Sequence, residues 1–390
     1  MKTIRFGIIG CGLMGREFAS AAARWGHLPE MDVRPEIVAI CDTQESVFDW
    51  YKANFGVSGT SSRNTRGIEQ FTTDYTELLD NPKVDAVYCA VPHNMHHQLY
   101  RHIIEAGKHL MGEKPFGIDK AASDSILECI KSHPKVFVRC SSEFPFVPAM
   151  QKLCGMIERE EFGELIEIKT GFLHSSDMDP NKPINWKRLA VFNGEYGVMG
   201  DLGMHACHVP FRAGWEPQNV RAILSNLIPQ RPDGKGGRVA CDTWDNANLM
   251  LEAVDPVTGF PFPWEMRLER IAPGEKNTWY CEIYGLKKCA KYTSKNTNHI
   301  STLEYDGGDQ AWQEIDMGHE VAFKSITGGI FEFGFSDMVL QMWAAFLYEL
   351  VHGKRPSKFA GCVTPDEAAL SHRVFTAALM SHRSKSTMKV

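Results

Sequence analysis

No stretch of this chain stays apolar for the roughly 20 residues that a membrane-spanning helix needs, and none of its 390 residues lies in an internal repeat or a low-complexity tract. That excludes helical membrane spans and solenoid arrays. Positive charge is not in excess either: 42 lysines and arginines face 48 aspartates and glutamates, a net charge of −6, so there is no basic footprint for nucleic acid. Cysteine occurs eleven times, an odd number with no paired C-x-x-C. These read as reduced thiols scattered through strands and helices, which points to a cytoplasmic protein and away from a disulfide framework. The absence of a serine nucleophile elbow removes one route to acyl transfer.

What is present begins at the N-terminus. Ile4 to Ile9 is an apolar run short enough for a buried parallel strand, and it enters Gly10-Cys11-Gly12-Leu13-Met14-Gly15 and then Arg16 to Arg24, rich in helix formers. The order is strand, tight turn, helix. Gly10 permits the turn, Gly12 lets a pyrophosphate approach the backbone, and Gly15 lets the helix lie close on the strand with its N-terminus toward the phosphates. A second apolar strand, Ile37 to Cys41, ends in Asp42, at the distance expected of an acid that bonds an adenosine ribose. A carboxylate there repels a 2′-phosphate, so NAD is favoured over NADP. Cys11 is the one thiol expected near a ligand. The competing reading is a glycine-rich turn beside an unrelated surface aspartate. Lys2 and Arg5 before apolar residues also resemble a signal peptide, but the run is short, cut by glycines and already explained as the first strand.

Length predicts two domains, divided here as 1–142 and 143–390. Through Cys140, strands alternate with helices. Strands at Val84 to Val91, His109 to Met111 and Lys135 to Cys140 interleave with helices at Glu45 to Asn54, Met95 to Ala106 and Ala121 to Lys131. Asp74 reads as an N-cap and Gly56 to Gly67 as an exposed loop. This is the grammar of a doubly wound parallel sheet, a Rossmann α/β fold. From Glu143 the grammar changes. Glu164 to Phe172 alternates like a half-exposed antiparallel strand, a short helix is expected near Asp201 to Arg212, and five more strand candidates run to Thr293. Two long helices, Ser336 to Val351 and Pro365 to Met380, follow. The second unit therefore reads as α+β with a large, mostly antiparallel sheet. The aromatic-rich Phe331 to Phe346 stretch reads as core or a subunit interface.

Three groups can carry chemistry. The strand end Val91-Pro92-His93-Asn94-Met95-His96-His97 lies at the carboxyl edge of the parallel sheet, where such folds bind ligands. Glu113-Lys114-Pro115 lies at the next strand end, with Lys114 expected to project toward the nicotinamide. Asp201 and His205, four apart, share one helix face. On spacing alone, Asp201 could equally be an N-cap and His205 a satisfied core histidine. The histidine pairs lack the further ligands a zinc site needs, so no metal is expected.

Taken in order, these motifs resemble the glucose-fructose oxidoreductase, inositol dehydrogenase and rhizopine catabolism (Gfo/Idh/MocA) family over nearly the whole chain. Glu105-Ala106-Gly107-Lys108-His109 and Thr364-Pro365-Asp366-Glu367-Ala368 belong to the likeness. The resemblance implies oxidation or reduction of a secondary alcohol on a sugar or cyclitol with a nicotinamide cofactor, and it places the family's lysine, aspartate and histidine on Lys114, Asp201 and His205. It implies cofactor contacts from Gly10 to Gly15 and from Asp42, Pro92, His93, His96, Glu113 and Lys114. It also implies a homo-oligomer, a dimer or tetramer, packed through the open sheet. One departure is Glu195-Tyr196-Gly197, where members often carry three glycines.

The residue types suit that chemistry. Removing the hydroxyl proton as hydride leaves carbon calls for a base, and His205 is the candidate. Lys114 would stabilise the developing alkoxide, with its pKa lowered by the cationic nicotinamide, while Asp201 would orient His205 or bind a neighbouring hydroxyl. The loop from His174 to Arg188 precedes this motif, and His174, Lys182, Trp186, Lys187 and Arg188 are its candidate substrate contacts. Two other classes compete: a glycosidase using NAD transiently, with extra acid–base groups from His174, Asp177, Asp179 or Tyr196 and an anionic glycoside as substrate, and a non-catalytic cofactor-binding regulator. The intact Lys114, Asp201 and His205 set argues against the regulator.

Overall fold

The computed structural model describes residues 1–56, 67–317, 321–328 and 331–390. The loop expected between Gly56 and Gly67 lies, from 57 to 66, outside the described residues. The chain begins with β1 (Lys2–Ile9), α1 (Leu13–Ala23), β2 (Val33–Cys41), α2 (Phe48–Phe55), β3 (Gln70–Thr72) and α3 (Tyr75–Leu79), which Asp74 caps by accepting the Thr76 N–H. It continues through β4 (Ala86–Cys89), α4 (His93–Glu105), β5 (His109–Gly112), α5 (Lys120–Ser132) and β6 (Val138–Cys140). All six strands run parallel in the order β3-β2-β1-β4-β5-β6. The order reverses between β1 and β4, so a crevice opens at their carboxyl ends. That crevice is where the site forms.

Beyond β6 come α6 (Pro148–Glu158), β7 (Leu165–Leu173), α7 (Ala190–Asn193), α8 (Val198–Ala213) and β8 (Glu216–Ser225). Then follow β9 (Gln230–Pro232), β10 (Arg238–Ala240), β11 (Asn246–Val254), β12 (Pro261–Glu269), β13 (Thr278–Gly285), β14 (Lys288–Thr293), β15 (His299–Glu304) and β16 (Gln313–Asp316). The chain ends with α9 (Phe335–His352), α10 (Pro365–Ser384) and β17 (Met388–Lys389). Nine strands form one sheet in the order β16-β15-β14-β13-β7-β12-β11-β8-β17. The α/β architecture, a Rossmann sheet plus a large mostly antiparallel one, is therefore the expected one. One strand departs from expectation: β7 is antiparallel to β13 but parallel to β12, and it sits mid-sheet with its last four residues buried. Its outward polar residues gave the alternation of an edge-like strand, although hydrogen bonding continues on both sides.

The expected short helix is longer and deeper. The N-cap of α8 is Gly197, four residues before Asp201, and all sixteen helical residues are buried. Asp201 is therefore inside the helix and not its N-cap. A helix buried all round must pair every charge it carries. Arg212 does so with Glu367 and with the carbonyls of Lys358 and Cys362. The helix packs against β7, β11, β12 and β13 on one side and α10 on the other.

The later part of the aromatic stretch belongs to the core, whereas Phe331 and Phe335 at its start are exposed. α9 returns to the first sheet, where the Trp343 ring stacks on Phe18 at 3.8 Å and meets Phe6 and Tyr88 edge-on at 5.6 and 4.9 Å. Such pairs contribute roughly 0.5–1.5 kcal/mol each beyond area burial.

Candidate active site

A cleft of about 590 Å³ runs from Gly12, Leu13 and Met14 past Pro92 and His93 to Lys114, Asp201 and His205. Its first end is built from backbone. Gly10 has φ 91°, and a Cβ there would lie 2.2 Å from the Ala90 carbonyl oxygen; at Gly15 it would lie 2.5 Å from the Gly10 carbonyl. In front of Gly12 nothing lies within 4 Å. The N-terminus of α1 has neither a side-chain cap nor an acidic residue in its first turn, so its first N–H groups are free for an anion. Asp42 closes the turn: Oδ2 accepts the Cys11 N–H at 2.8 Å and Oδ1 the Gln44 N–H at 2.9 Å.

The Cys11 thiol is not at the ligand surface. It is fully buried, 3.5 Å from the Cys41 carbonyl, and burial pushes its pKa well up. His96 is also set back from the cleft wall. Its ring spans the Val91 carbonyl at 2.9 Å and the Pro115 carbonyl at 2.7 Å, and so ties the end of β4 to the turn that carries Lys114. His93 does line the cleft, with Trp186 edge-on at 4.9 Å, and burial holds it well below the usual imidazole range. Glu113 accepts the Tyr88 hydroxyl at 2.6 Å.

At the second end the surface is side chains. The Asp201 carboxylate accepts from three cations: Lys114 Nζ at 3.1 Å, Lys187 Nζ at 2.9 and 3.0 Å, and Arg270 Nη2 at 2.8 Å. Burial alone pushes this carboxyl up, yet the three charges outweigh it and hold the group well below the ordinary range. Lys114 also donates to the Asp201 carbonyl at 2.6 Å. Burial pulls the ammonium down, but Asp201 and Glu113 raise it above its ordinary value. It is therefore a charged donor. His205 lies one helical turn from Asp201, and no hydrogen bond joins the two among the described residues, so Asp201 does not orient it. Its ring is clamped edge-on by Phe144 at 5.3 Å and Phe172 at 5.5 Å, with Nδ1 3.4 Å from the Ser142 hydroxyl. Burial, then the Lys114 charge, keeps it neutral.

The loop before α8 divides by its ion pairs. Arg188 is buried and bound to Asp177 and Asp245, and Lys182 donates to Asp177 at 3.0 Å and to the Ser176 carbonyl at 2.7 Å. These two lysine and arginine heads hold the loop together. Lys187, Trp186 and His174 line the cleft, and so do Lys182 and Arg188. Of the extra acid–base candidates, Asp179 is exposed, and Tyr196 turns to α10 and bonds Thr376 at 2.7 Å. Among the described residues no group of three or more His, Cys, Asp or Glu side chains could hold a metal ion.

Residues 4–140 match a family model described as an oxidoreductase family with an NAD-binding Rossmann fold. That segment, the first sheet with its helices, is the NAD-binding domain of the Gfo/Idh/MocA oxidoreductase family. Levoglucosan dehydrogenase of Pseudarthrobacter phenanthrenivorans is 27% identical over 247 residues, 62% of this chain and 59% of that enzyme, so the match spans about three fifths of the relative's length. An uncharacterised oxidoreductase of Synechocystis is 31% identical over 255 residues, 64% of this chain and 66% of the relative. The solved structure of levoglucosan dehydrogenase with NADH and L-sorbose shares the fold over 100% of this chain and 99% of its own, with a TM-score of 0.86 at 20% identity.

NAD fits this Gfo/Idh/MocA domain on its own geometry. The open space before Gly12, the uncapped N-terminus of α1 and the Asp42 carboxylate at the end of β2 are the features a pyrophosphate and an adenosine ribose require. Sequence reading missed Arg270 and Glu143. Arg270 ends a strand whose alternation signalled only sheet. Glu143 stands just beyond β6, on the same carboxyl edge as Asp42 and Glu113, and that placement was the available signal.

Proposed function

We propose that the chain is an NAD-dependent dehydrogenase of a secondary hydroxyl on a sugar, cyclitol or glycoside. The observation that carries this reading is the joint presence on one cleft of a charged Lys114, a neutral His205 and an uncapped helix N-terminus. NAD, when bound, supplies the hydride acceptor. Lys114 donates to the substrate oxygen and stabilises its developing negative charge, His205 takes the hydroxyl proton at Nε2, and Asp201 positions Lys114. Trp186, Lys187 and His174 contact the sugar. Asp42 accepts from the adenosine ribose hydroxyls and disfavours a 2′-phosphate.

The glycosidase alternative loses support. Its anionic substrate rested on Lys182, Lys187 and Arg188, and all three are paired with carboxylates. Its extra acids and bases rested partly on Asp179 and Tyr196, which lie off the cleft wall. A cytoplasmic homo-oligomer is part of the reading, supported by eleven free cysteines and by Ile166, Ile223 and Met250 exposed on the nine-stranded sheet. The test is NADH formation with levoglucosan, L-sorbose and a panel of cyclitols and glycosides. Release of an aglycone without net NADH overturns the dehydrogenase.

A further inference from the structure

One acid on the cleft wall has no part in that scheme. Glu143 follows β6, is 6% exposed and lines the cleft. Asp177, Asp201 and Asp245 are each ion-paired to lysine or arginine, whereas the partner of Glu143 at ion-pair distance is an imidazole: Oε2 lies 3.8 Å from His205 Nδ1. Phe144 and Phe172 fix the ring, and Ser142 Oγ sits 3.4 Å from the same nitrogen. Nδ1 is thus turned to the β6 loop. Nε2 has no hydrogen-bond partner among the described residues, on a ring that lines the cleft.

We propose that Glu143 and His205 form one proton-accepting dyad, in which Nε2 takes the substrate hydroxyl proton while Glu143 takes the proton from Nδ1. This rests on the dehydrogenase reading above. The substrate O–H bond breaks and an N–H bond forms at Nε2; the Nδ1–H bond breaks and an O–H bond forms on Glu143; the hydride and its electron pair leave with the cofactor. Glu143 then loses its proton to water in the cleft it lines. A separation of 3.8 Å closes to hydrogen-bond distance when charge develops, as ligand-free catalytic contacts commonly do. Without such a partner a buried imidazole beside Lys114 is a weak base, because each positive charge opposes the other.

Glu143 faces Glu113 and Lys114 from the β5 turn, Glu17 from α1 and His205 from α8. Burial raises it first and Glu113 and Glu17 add to that, against Lys114, so its pKa reaches about 7. The group is therefore divided between its two forms at neutral pH.

The deciding test needs no substrate or cofactor. In ¹⁵N-histidine-labelled protein, the His205 ring signals should shift with an inflection near pH 7, and Glu143→Gln, nearly isosteric and always neutral, should abolish it. A flat wild-type titration, or the same inflection in Glu143→Gln, overturns the dyad whatever the substrate proves to be. With a turned-over sugar, kcat/KM for oxidation should fall below pH 7 in the wild type. Glu143→Gln should lose that limb and about tenfold or more in rate, and Glu143→Asp should restore the limb. A Glu143→Gln enzyme with unchanged rate and pH profile also overturns it. Failure of every sugar to react, with the inflection intact, counts against the dehydrogenase reading and not against the dyad.

Discussion

The two ends of the cleft are made of different material. At the cofactor end the ligand surface is backbone, one continuous segment from Gly10 to Gly15 braced by the Asp42 carboxylate and the Tyr51 hydroxyl. At the other end it is side chains from separate segments: Lys114 after β5, Lys187 before α8, Asp201 and His205 on α8, and Arg270 after β12. A backbone surface fails locally, where one added methyl blocks one approach. A charge network fails collectively, because each group's burial is tolerable only while its partners remain.

The sharpest way to break that contrast is Asp201→Ala. It leaves Lys114, Lys187 and Arg270 without their shared carboxylate in a buried site. Stability should fall by about 3–5 kcal/mol, read as a lower urea midpoint at unchanged m-value. Gly12→Ala should do the opposite, since its Cβ meets no protein atom: the urea midpoint stays near wild type while NAD binding weakens at least tenfold. Equal stability losses for the two variants would erase the distinction.

Next in size are Lys114→Ala and His205→Ala. Each should lower turnover about a hundredfold, about 2.7 kcal/mol of barrier, with the dissociation constant for NAD within a few fold of wild type. Near-normal turnover in either variant removes that residue from the chemistry. Asp42→Ala should cost about 2 kcal/mol of NAD binding and improve NADP relative to NAD. Titration calorimetry with both dinucleotides separates the two effects. The variant also loses the Cys11 N–H bond, so a loss of NAD binding with an unchanged NADP to NAD ratio would assign Asp42 to the loop alone.

The same contrast explains what could be read from the sequence. Strand, glycine turn, helix and acid are contiguous or regularly spaced, so the first sheet and Asp42 were legible before any coordinates. Lys114, Asp201 and His205 were legible as motifs, but not their partners. Arg270 lies 69 residues from Asp201, and no local pattern links them. Arg188 and Lys182 stand on the cleft wall as loop cations, which carry no mark in the sequence of the carboxylate they will meet, and Asp177 is near enough to pair with both. Cys11 and His96 were in the right segments with their side chains turned inward, which spacing along a tight turn or a first helical turn does not resolve. That β7 is antiparallel on one side only was not legible, because alternation reports which face is wet, not which neighbour is parallel.

The smallest predicted effect concerns a histidine behind the site, and it sharpens the point about partners. His96 and His205 each have a hydrogen-bonding group within 3.4 Å of a ring nitrogen, whereas both ring nitrogens of His372, buried in α10 beside Tyr196, have none among the described residues. Burial lowers its pKa to about 3. In the unfolded chain the same imidazole titrates near 6.5, so as pH falls the unfolded state takes up a proton that the folded state refuses. The stability this group contributes is therefore complete above pH 6.5 and is lost progressively as pH drops toward 3. Between pH 6.5 and 5.5 the loss should be about 1 kcal/mol. His372→Leu keeps a branched apolar filling and removes both the orphaned nitrogens and the titration, so its urea-derived stability should fall less steeply over that interval, by this amount. His208, also lowered to about 3 by burial and then by Arg212, keeps its own share of the slope in that variant. A pH dependence identical to wild type would mean that His372 finds a proton acceptor on acidification, and the partnered and unpartnered histidines would then behave alike.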